Sequence, residues 1–328
     1  MIGGVNLERC EDENYIGFMQ RVILGVRNKE INYEEMGKLL FGEELYSSEN
    51  LRKMYYALDL VCENIENEYN YSIGKRILVI SDLHVPFQLP IETFKNYKGN
   101  IDVLIINGDA TDLSMISKFR GARRNSPMED IIETRKYLID LISYINPKEV
   151  YTTYGNHDVR FINYLLKSID TDLCDLLPKT QLDLIFDLGF HHHNHVERTK
   201  VWYEPLTVVF PDKKIVYTND WKVQIGDTVF AHPLAYNSGI LKTSEHAMDF
   251  FLREGYNFKN LFLAHTHKSG EFDVGAIRLY ESGCCCDIIK NNYNEGKLIA
   301  SQKEGFLYSV QDKDGNTIRD LTRRIVLN

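Results

Sequence analysis

Five short apolar segments of the 328-residue chain run directly into turns that carry aspartate, asparagine or histidine. The segments read IGKRILVISD, IDVLIINGD, EVYTTYGNHD, DTVFAHP and NLFLAHTH, and such runs are typical of buried β-strands. Helical patterns at 128–145, 159–167 and 244–254 alternate with some of them, which predicts α/β layers with helices outside a sheet or a pair of sheets. Because every polar motif follows a strand, we expect the motifs to meet where the strands end.

The polar motifs are DLH at 82–84, GDATD at 108–112, GNHD at 155–158, AH at 231–232 and AHTH at 264–267. One such motif occurs easily by chance, but five in this order, each at the end of a strand, do not. Two divalent metals about 3.5 to 4 Å apart need a bridging carboxylate, and they can clamp a phosphate while turning a bound water into a hydroxide nucleophile. The DxH and HxH spacings would place both ligands on one side of an extended turn. The residues therefore predict two-metal hydrolysis of a phosphoester.

The motif set closely resembles the calcineurin-like metallophosphoesterase superfamily, whose pattern is DxH, GDxxD, GNH[DE], H and GHxH, over roughly residues 75–290. Ala264 departs from it, since the family usually has glycine there. The resemblance implies a four-layer αββα sandwich. It also implies one metal bound by Asp82, His84, Asp109 and His267 and a second bound by Asp109, Asn156, His232 and His265, with Asp109 bridging. His157 would be the general acid that protonates the leaving oxygen, and Asp112 would orient it.

Mixed imidazole and carboxylate ligands suit transition metals better than calcium or magnesium. We expect manganese, with iron, zinc and nickel as alternatives. A degenerate site that binds metal without turnover is the competing interpretation, although no ligand or acid is missing from the motifs.

The substrate has to be inferred from residues beside the motifs. Protein phosphatases of the superfamily carry GDxVDRG, whereas Asp112 is followed here by Leu113 and Ser114, which argues against that class. The runs at 114–120, 155–167 and 280–288 resemble the phage- and prophage-type branch, which is loosely similar to DNA-repair exonucleases. We expect a phosphodiester of nucleic acid or of a nucleotide. The alternatives are a phosphomonoesterase and an interaction protein that keeps a relic metal site.

Basic residues near the motifs are candidates for contacting phosphate. Lys118, Arg120, Arg123 and Arg124 form a dense cluster whose guanidinium groups suit bidentate phosphate contact. The alternative is a solvated loop that balances nearby glutamates. Arg160 lies three positions after His157, so it is a second candidate for phosphate contact; otherwise it is a surface residue at the start of a helix.

The first 72 residues differ in charge from the rest of the chain. They hold 14 acidic and 7 basic side chains, so −7 of the net −9 belongs to them. Helical spacing predicts three helices here: one around 15–26, one starting at Asn32 with Glu35 completing a capping box, and one with Ser48 as N-cap. We expect an acidic helical accessory domain at 1–72 and the catalytic domain at 73–328. A helix-turn-helix is possible by spacing, but the acidic field favours docking or homo-oligomerisation over DNA binding.

Cysteine usage and hydropathy bear on the compartment. The six cysteines, three of them adjacent at 284–286, lack the spacing of a disulfide framework, which indicates a reducing compartment. No stretch approaches the roughly 18 apolar residues of a membrane span, so we expect a cytoplasmic protein without membrane association. We interpret Cys284 to Cys286 as packing beneath the site. His191, His192, His193 and His195 are interpreted as surface or channel residues rather than catalytic metal ligands.

Overall fold

The structure, a computed structural model, describes residues 15–42, 47–70, 73–117, 125–167, 169, 173, 176–194, 197–235, 237, 239, 241–291 and 302–327. By its internal contacts the chain divides into two units, Met1–Ser72 and Ile73–Asn328. The described helices are α1 (Tyr15–Arg27), α2 (Tyr33–Phe41), α3 (Ser48–Asn70), α4 (Pro127–Ile145), α5 (Arg160–Leu165), α6 (Gln181–Asp183), α7 (Leu206–Val209), α8 (Lys242–Arg253) and α9 (Ile288–Asn291). None of these helices combines the length and apolar character needed to cross a bilayer.

The first unit is built from α1, α2 and α3, in agreement with the predicted helices. Asn32 accepts hydrogen bonds from the backbone N–H of Glu34 and Glu35, both at 2.9 Å, while Glu35 accepts from the backbone of Asn32. The capping box is thereby confirmed. The predicted N-cap at Ser48 is wrong by one residue, because α3 begins at Ser48 and the hydroxyl of Ser47 accepts from Asn50 N at 3.4 Å. The unit buries its own apolar cluster: Phe18, Val22, Ile23, Ile31, Met36, Leu40 and Tyr55.

Two sheets form the centre of the second unit. The strands are β1 (Ile73–Ile80), β2 (Val103–Asn107), β3 (Glu149–Thr153), β4 (Phe190–Asn194), β5 (Thr199–Tyr203), β6 (Lys214–Tyr217), β7 (Lys222–Ile225), β8 (Thr228–Ala231), β9 (Asn260–Leu263), β10 (Ser269–Val274), β11 (Ile277–Ser282), β12 (Gly305–Asp312) and β13 (Arg323–Val326). One sheet has the order β13-β12-β1-β2-β3-β6 and the other β10-β11-β9-β8-β7, while β4 and β5 pair as a separate hairpin.

The chain direction within each sheet determines where the loops gather. In the first sheet β1, β2, β3 and β6 are parallel, with Ile77 opposite Val103 and Val103 opposite Glu149, and β12 runs antiparallel to β1. In the second sheet β8, β9 and β11 are parallel. Parallel strands end at the same edge, so the loops after β1, β2 and β3 share one edge, and those after β8 and β9 share another.

Alternating side chains of β1 show how the layers are stacked. Leu78 and Ile80 pack into the cluster that contains Leu138 and Ile142 of α4. Ile77 and Val79 point to the opposite face, where they join Phe230 and Phe262 of the second sheet. The far face of the second sheet packs on α8 through a cluster that includes Val229, Leu261, Met248 and Phe251. The order helix, sheet, sheet, helix is the predicted αββα sandwich, and each buried side chain of this kind contributes about 1.5 to 3 kcal/mol.

Candidate metal centre

The five motifs converge at the strand ends of both sheets. Asp82 and His84 follow β1, Asp109 follows β2, and Asn156 and His157 follow β3. His232 follows β8, and His265 and His267 follow β9. The side chains of Asp82, His84, Asp109, His232 and His267 are buried, whereas Asn156 and His265 are half-buried. All seven predicted metal ligands therefore lie around one region where the two sheets meet.

One side of this region is formed by Asp82, His84 and His267. The Nε2 atoms of His84 and His267 lie 3.2 Å apart, and His267 Nε2 is 3.2 Å from Asp82 Oδ1. His84 Nε2 lies 3.8 Å from Asp109 Oδ2. We call Asp82, His84 and His267 the His84 side of the site. Imidazole nitrogens this close cannot both point a proton at the other, so at least one directs a lone pair inward.

The other side is formed by Asn156, His232 and His265, which we call the His232 side. His232 Nε2 lies 3.3 Å from Asp109 Oδ2 and 3.4 Å from Asn156 Oδ1. The ligand atoms of Asp109, His232 and His265 all lie within 4.8 Å of one another. Asp109 Oδ2 therefore faces both sides, which is the position that a bridging carboxylate requires.

Hydrogen bonds fix the outer nitrogens of the two buried histidines at these positions. The backbone carbonyl of Asn107 lies 2.9 Å from His232 Nδ1 and accepts its proton, so Nε2 is the nitrogen that faces Asp109 and would bind a metal once its own proton is lost. The side-chain amide of Gln302 lies 2.8 Å from Nδ1 of His267, and with its oxygen turned to the ring it would accept the Nδ1 proton in the same way. Ligating histidines are commonly oriented in this way through the nitrogen that does not bind metal. The donor set thus fits divalent cations.

The backbone around the ligands departs from the sequence-based prediction. Five ligand residues have left-handed conformations, with φ of 52° at Asp82, 46° at His84, 50° at Asp109, 75° at His265 and 54° at His267. The predicted extended backbone of these turns is therefore wrong, although Asp82 and His84 do face the same side, with His84 Nε2 4.0 Å from Asp82 Oδ1. Positive φ is uncommon outside glycine and is concentrated at functional sites, where surrounding contacts enforce it.

Contacts between the loops hold this strained backbone in place. His84 N donates to the carbonyl of Asp109 at 2.9 Å, and His265 N donates to Asp82 Oδ1 at 3.2 Å. The buried carboxylate of Asp158 accepts from the backbone N–H of Asp109 at 2.8 Å, from Gly155 N at 2.9 Å and from Gln181 Nε2 at 2.6 Å. Asp158 thereby ties the second and third motifs together.

Gly155 is required by the closeness of these loops. A Cβ at this position would collide with Asp109 Oδ1 and with His232 Nε2. The sequence motif GNHD includes Gly155 and Asp158, but its spacing did not predict a role for either residue. Gln181, on the short helix α6, carried no sequence signal.

His157, Asp112 and Arg160 form a contiguous group beside the ligands. His157 Nδ1 lies 3.2 Å from Asp112 Oδ1, and His157 N donates to Asp109 Oδ1 at 2.7 Å. Arg160 donates from Nη1 to the carbonyl of Asp112 at 2.8 Å and from Nη2 to His157 Nε2 at 2.7 Å. Because the guanidinium can only donate, Nε2 of His157 is the acceptor and Nδ1 carries the proton toward Asp112 in this arrangement.

The electrostatics of the site favour cations. Burial alone would lower the pKa of both His232 and His267. The carboxylates of Asp109 and Asp82 instead raise the pKa of His232 to about 9. The carboxylate of Asp82 likewise raises the pKa of His267 to about 9. Burial would raise the pKa of Asp82, yet the charges of His267 and His232 lower it to about 2. A field that binds protons this strongly on two buried imidazoles would also attract metal ions.

The remaining residues singled out in the sequence fall outside the described residues, are exposed, or are buried as free thiols. Arg120, Arg123 and Arg124, together with Lys118 and His195, fall outside the described residues. His191 and His193 are exposed on β4, apart from the groups of ligand atoms found among the described residues. Cys284, Cys285 and Cys286 are buried free thiols.

A cluster of buried carboxylates and imidazoles at the ends of two packed sheets defines a metal-dependent hydrolase. Residues 75–269 match the family model described as calcineurin-like phosphoesterase. The chain belongs to this family and is a hydrolase acting on phosphoester bonds.

Among solved structures, the chain is similar to a novel archaeal phosphodiesterase at 16% identity, with 77% of this chain and 99% of that chain covered and a TM-score of 0.37. It is similar to vacuolar protein sorting 29 from Cryptosporidium parvum at 14% identity, covering 78% and 99%, with a TM-score of 0.35. A metallophosphoesterase from Sphaerobacter thermophilus shows 15% identity, 77% and 88% coverage and a TM-score of 0.35. Among curated proteins, no sequence matches the chain.

Proposed function

We propose that the protein hydrolyses a phosphodiester at a dinuclear metal centre bridged by Asp109. The observation that carries this proposal is the position of Asp109 Oδ2, 3.3 Å from His232 Nε2 on one side and 3.8 Å from His84 Nε2 on the other. Asp82, His84, Asp109 and His267 would hold one ion, and Asp109, Asn156, His232 and His265 would hold the other. Two bound ions would polarise the phosphoester and favour deprotonation of an attacking water.

His157 is proposed as the general acid, with Asp112 as the residue that orients it. The Asp112 carboxylate accepts from Nδ1, so the ring presents Nε2 to the side where Arg160 lies. Nε2 holds no proton while it accepts from Arg160, so the leaving oxygen would take a proton from Nε2 only after Arg160 has moved away and Nε2 has been protonated from solvent. Arg160 donates to Nε2 at 2.7 Å, and this closeness to the general acid supports a role for its guanidinium in contacting the phosphate. We infer that a bound phosphate draws this guanidinium away from Nε2 and is held by it.

The preference for a diester rests on what replaces the protein-phosphatase signature. Leu113, which stands in the position of the arginine of GDxVDRG, is fully buried in the apolar cluster beneath the site. An uncharged, inaccessible side chain at this position cannot bind a phosphomonoester dianion. A nucleic acid or nucleotide substrate, as the resemblance to the phage- and prophage-type branch implies, is the corresponding proposal. Arg120, Arg123 and Arg124 are proposed to contact its phosphates.

The role of the accessory unit, the identity of the metal and the cellular compartment are also proposals. The acidic unit at 1–72 would serve docking or homo-oligomerisation, and the catalytic domain would span 73–328. Manganese is the metal proposed from the mixed donor set, with iron, zinc or nickel as alternatives. The buried free thiols at 284–286 support a reducing, cytoplasmic setting.

The test is a substrate and metal panel on the full chain. Metal is first removed from the protein with a chelator. The metal-free protein is then supplied with manganese, zinc, iron(II) or nickel and assayed on bis-p-nitrophenyl phosphate, p-nitrophenyl phosphate and single-stranded DNA and RNA. We expect metal-dependent hydrolysis with kcat/KM about tenfold or more higher for the diester, a difference of about 1.4 kcal/mol. Asp82→Asn should abolish the activity and keep the circular dichroism spectrum. No metal-dependent hydrolysis would refute the enzymatic proposal, while a monoester preference would refute the diester alone.

A further inference from the structure

The three adjacent cysteines lie directly beside the His84 side of the site. They follow β11, and their backbone is held between the end of β1 and the start of β12. Cys285 N donates to the carbonyl of Ser81 at 2.9 Å, and Cys284 N donates to that of Lys303 at 2.9 Å. All three side chains are completely buried. Ser81 directly precedes Asp82, so this segment is anchored to the first ligand motif.

The three thiols have different surroundings. Cys285 donates from Sγ to the carbonyl of Gly305 at 3.2 Å and belongs to the apolar core. Cys284 donates from Sγ to the carbonyl of Lys303 at 3.5 Å. Cys286 instead directs its sulfur to the histidines: its Sγ and one ring nitrogen each of His84 and His267 all lie within 4.8 Å of one another.

A second contact supports a ligand role for this sulfur. Asn291 Nδ2, on α9, donates to Cys286 Sγ at 3.4 Å, so the sulfur acts as an acceptor. Amide donors to sulfur are typical around metal-bound cysteines, where they fix the ligand and tune the metal. The upper limit of 4.8 Å on these separations is close to what one ion needs, because zinc binds sulfur at about 2.3 Å and nitrogen at about 2.0 to 2.1 Å, which places such ligand atoms roughly 3 to 4.5 Å apart.

We propose that Cys286 is a sulfur ligand of the ion bound by Asp82, His84 and His267. The proposal rests on the dinuclear centre described above and assigns this chain a further ligand for it. As the metal–sulfur bond forms, the S–H bond breaks and its proton passes to solvent, so that the thiolate offsets one charge of the ion.

A sulfur donor changes which metals the His84 side prefers. Thiolate and imidazole together suit zinc, iron(II) and cobalt(II), whereas manganese favours oxygen donors. The His232 side has an amide oxygen, imidazoles and the shared carboxylate, with no described sulfur among its ligand groups. The manganese expected from the motifs would therefore be displaced on the His84 side by a softer ion.

Cobalt(II) tests this directly, since a sulfur ligand gives a charge-transfer band in the near ultraviolet that oxygen and nitrogen ligands do not. The metal-free full chain is titrated with cobalt(II), and the charge-transfer and visible d–d bands are recorded for wild type, Cys286→Ala and Cys285→Ala. Cys285→Ala is the matched control, because it removes a neighbouring buried thiol that points into the core. We expect the charge-transfer band in wild type and Cys285→Ala, and its loss in Cys286→Ala with the d–d bands kept.

The outcomes separate this proposal from the proposed function. Visible d–d bands without a charge-transfer band in wild type would overturn the sulfur ligand and leave the dinuclear centre intact. The absence of both bands would overturn the metal centre and the sulfur ligand together. If Cys286→Ala fails to fold, X-ray absorption of cobalt-loaded wild type decides: a sulfur scatterer in the first coordination shell supports the proposal, and a shell of nitrogen and oxygen alone overturns it.

Discussion

The charged side chains at the two ends of the central parallel strands differ in burial and in their partners. At the amino ends of β2 and β3, Asp102 pairs with Lys148 at 2.8 Å, and Glu149 pairs with Lys75 at 2.8 Å and Lys214 at 3.0 Å. These groups are partly exposed. At the carboxyl ends, Asp82, Asp109 and Asp112 are buried and face imidazoles.

The difference separates stability from function within the same strands. Exposed pairs at the amino ends contribute little each and need no ligand. The buried carboxylates at the carboxyl ends carry a charge that only cations compensate fully, which is costly for folding and useful for binding metal. Identical substitutions at the two ends should therefore have different consequences.

The largest difference is expected between Asp109→Asn and Asp102→Asn, which lie at opposite ends of β2. Asparagine keeps the shape and tolerates the left-handed conformation of residue 109, but it removes the charge shared by both sides of the site. We expect kcat/KM to fall about 10³-fold or more, equivalent to about 4 kcal/mol, with bound metal reduced. Asp102→Asn should retain activity and lose at most about 1 kcal/mol of stability. Kinetics, metal analysis and thermal unfolding of both variants measure this, and comparable activity losses would refute the division.

Replacing His157 should impair chemistry without removing metal. Loss of a general acid costs about 10²- to 10⁴-fold when the leaving group needs a proton. For His157→Ala we expect a loss of this size on a dinucleotide and a clearly smaller one on bis-p-nitrophenyl phosphate, whose leaving group departs readily without protonation. Metal content, measured in parallel, should match wild type. Equal losses on the two substrates would contradict the assignment.

A smaller effect on metal affinity is expected from the loop that carries His265 and His267, because it holds one ligand of each side of the site. The buried carboxylate of Glu281 accepts from Thr266, between the two histidines, at 2.9 Å and from Ser244 on α8 at 2.5 Å. Thr266→Val should lower metal affinity about 10-fold or more, because it releases a group that orients the ligands. It should also cost about 1 to 3 kcal/mol, since one carboxylate oxygen loses its partner.

Ser244→Ala is the matched control for Thr266→Val. It removes the other hydrogen bond of Glu281 but lies on α8, so we expect a similar loss of stability with nearly unchanged metal affinity. Competition with a metal indicator gives the affinities, and chemical unfolding gives the stabilities. An equal fall in affinity for both variants would show that Glu281 acts through general stability and not by positioning the loop.

The smallest effect is expected at the amino end of β3 and depends on pH. Burial would raise the pKa of Glu149, but hydrogen bonds from Lys75, Lys214 and Tyr151 lower it from 4.5 to about 2. Since the folded value lies below the ordinary one, the stabilising contribution is present above about pH 5 and is lost as the pH falls toward 2. Glu149→Gln should therefore cost about 1 kcal/mol at neutral pH, allowing for solvent screening, and nearly nothing near pH 2.

Metal-free protein is used for this comparison, so that loss of metal in acid affects neither protein. Urea unfolding at several pH values measures the difference between wild type and variant. A difference that stays constant from pH 7 to 3 would contradict the role of the Glu149 charge. In a separate assay of the metal-loaded proteins at neutral pH, a change in kcat/KM for the variant would show that the two ends are coupled.

Structural features that depend on neighbouring residues could be predicted from the sequence, whereas contacts between segments far apart in the chain could not. The strand-end motifs and the capping box of Asn32 and Glu35 depend on neighbouring residues, so spacing alone indicated them. Gln302 and Cys286 reach the site because β12 returns antiparallel to β1, with Ile77 opposite Ser309. No local pattern records this pairing. The positive φ values could not be predicted either, because aspartate and histidine, unlike glycine, adopt negative φ at most positions.

The left-handed ligand residues have a consequence for any comprehensive mutational scan of these loops. At positions 82, 84, 109, 265 and 267 the backbone selects for glycine, asparagine and aspartate and disfavours β-branched side chains, whereas catalysis requires the native ligand. Selection for abundance and selection for turnover would therefore enrich different amino acids at the same five positions. Where the two profiles diverge, the scan would separate the requirements of the fold from those of the chemistry, without any structure of a substrate complex.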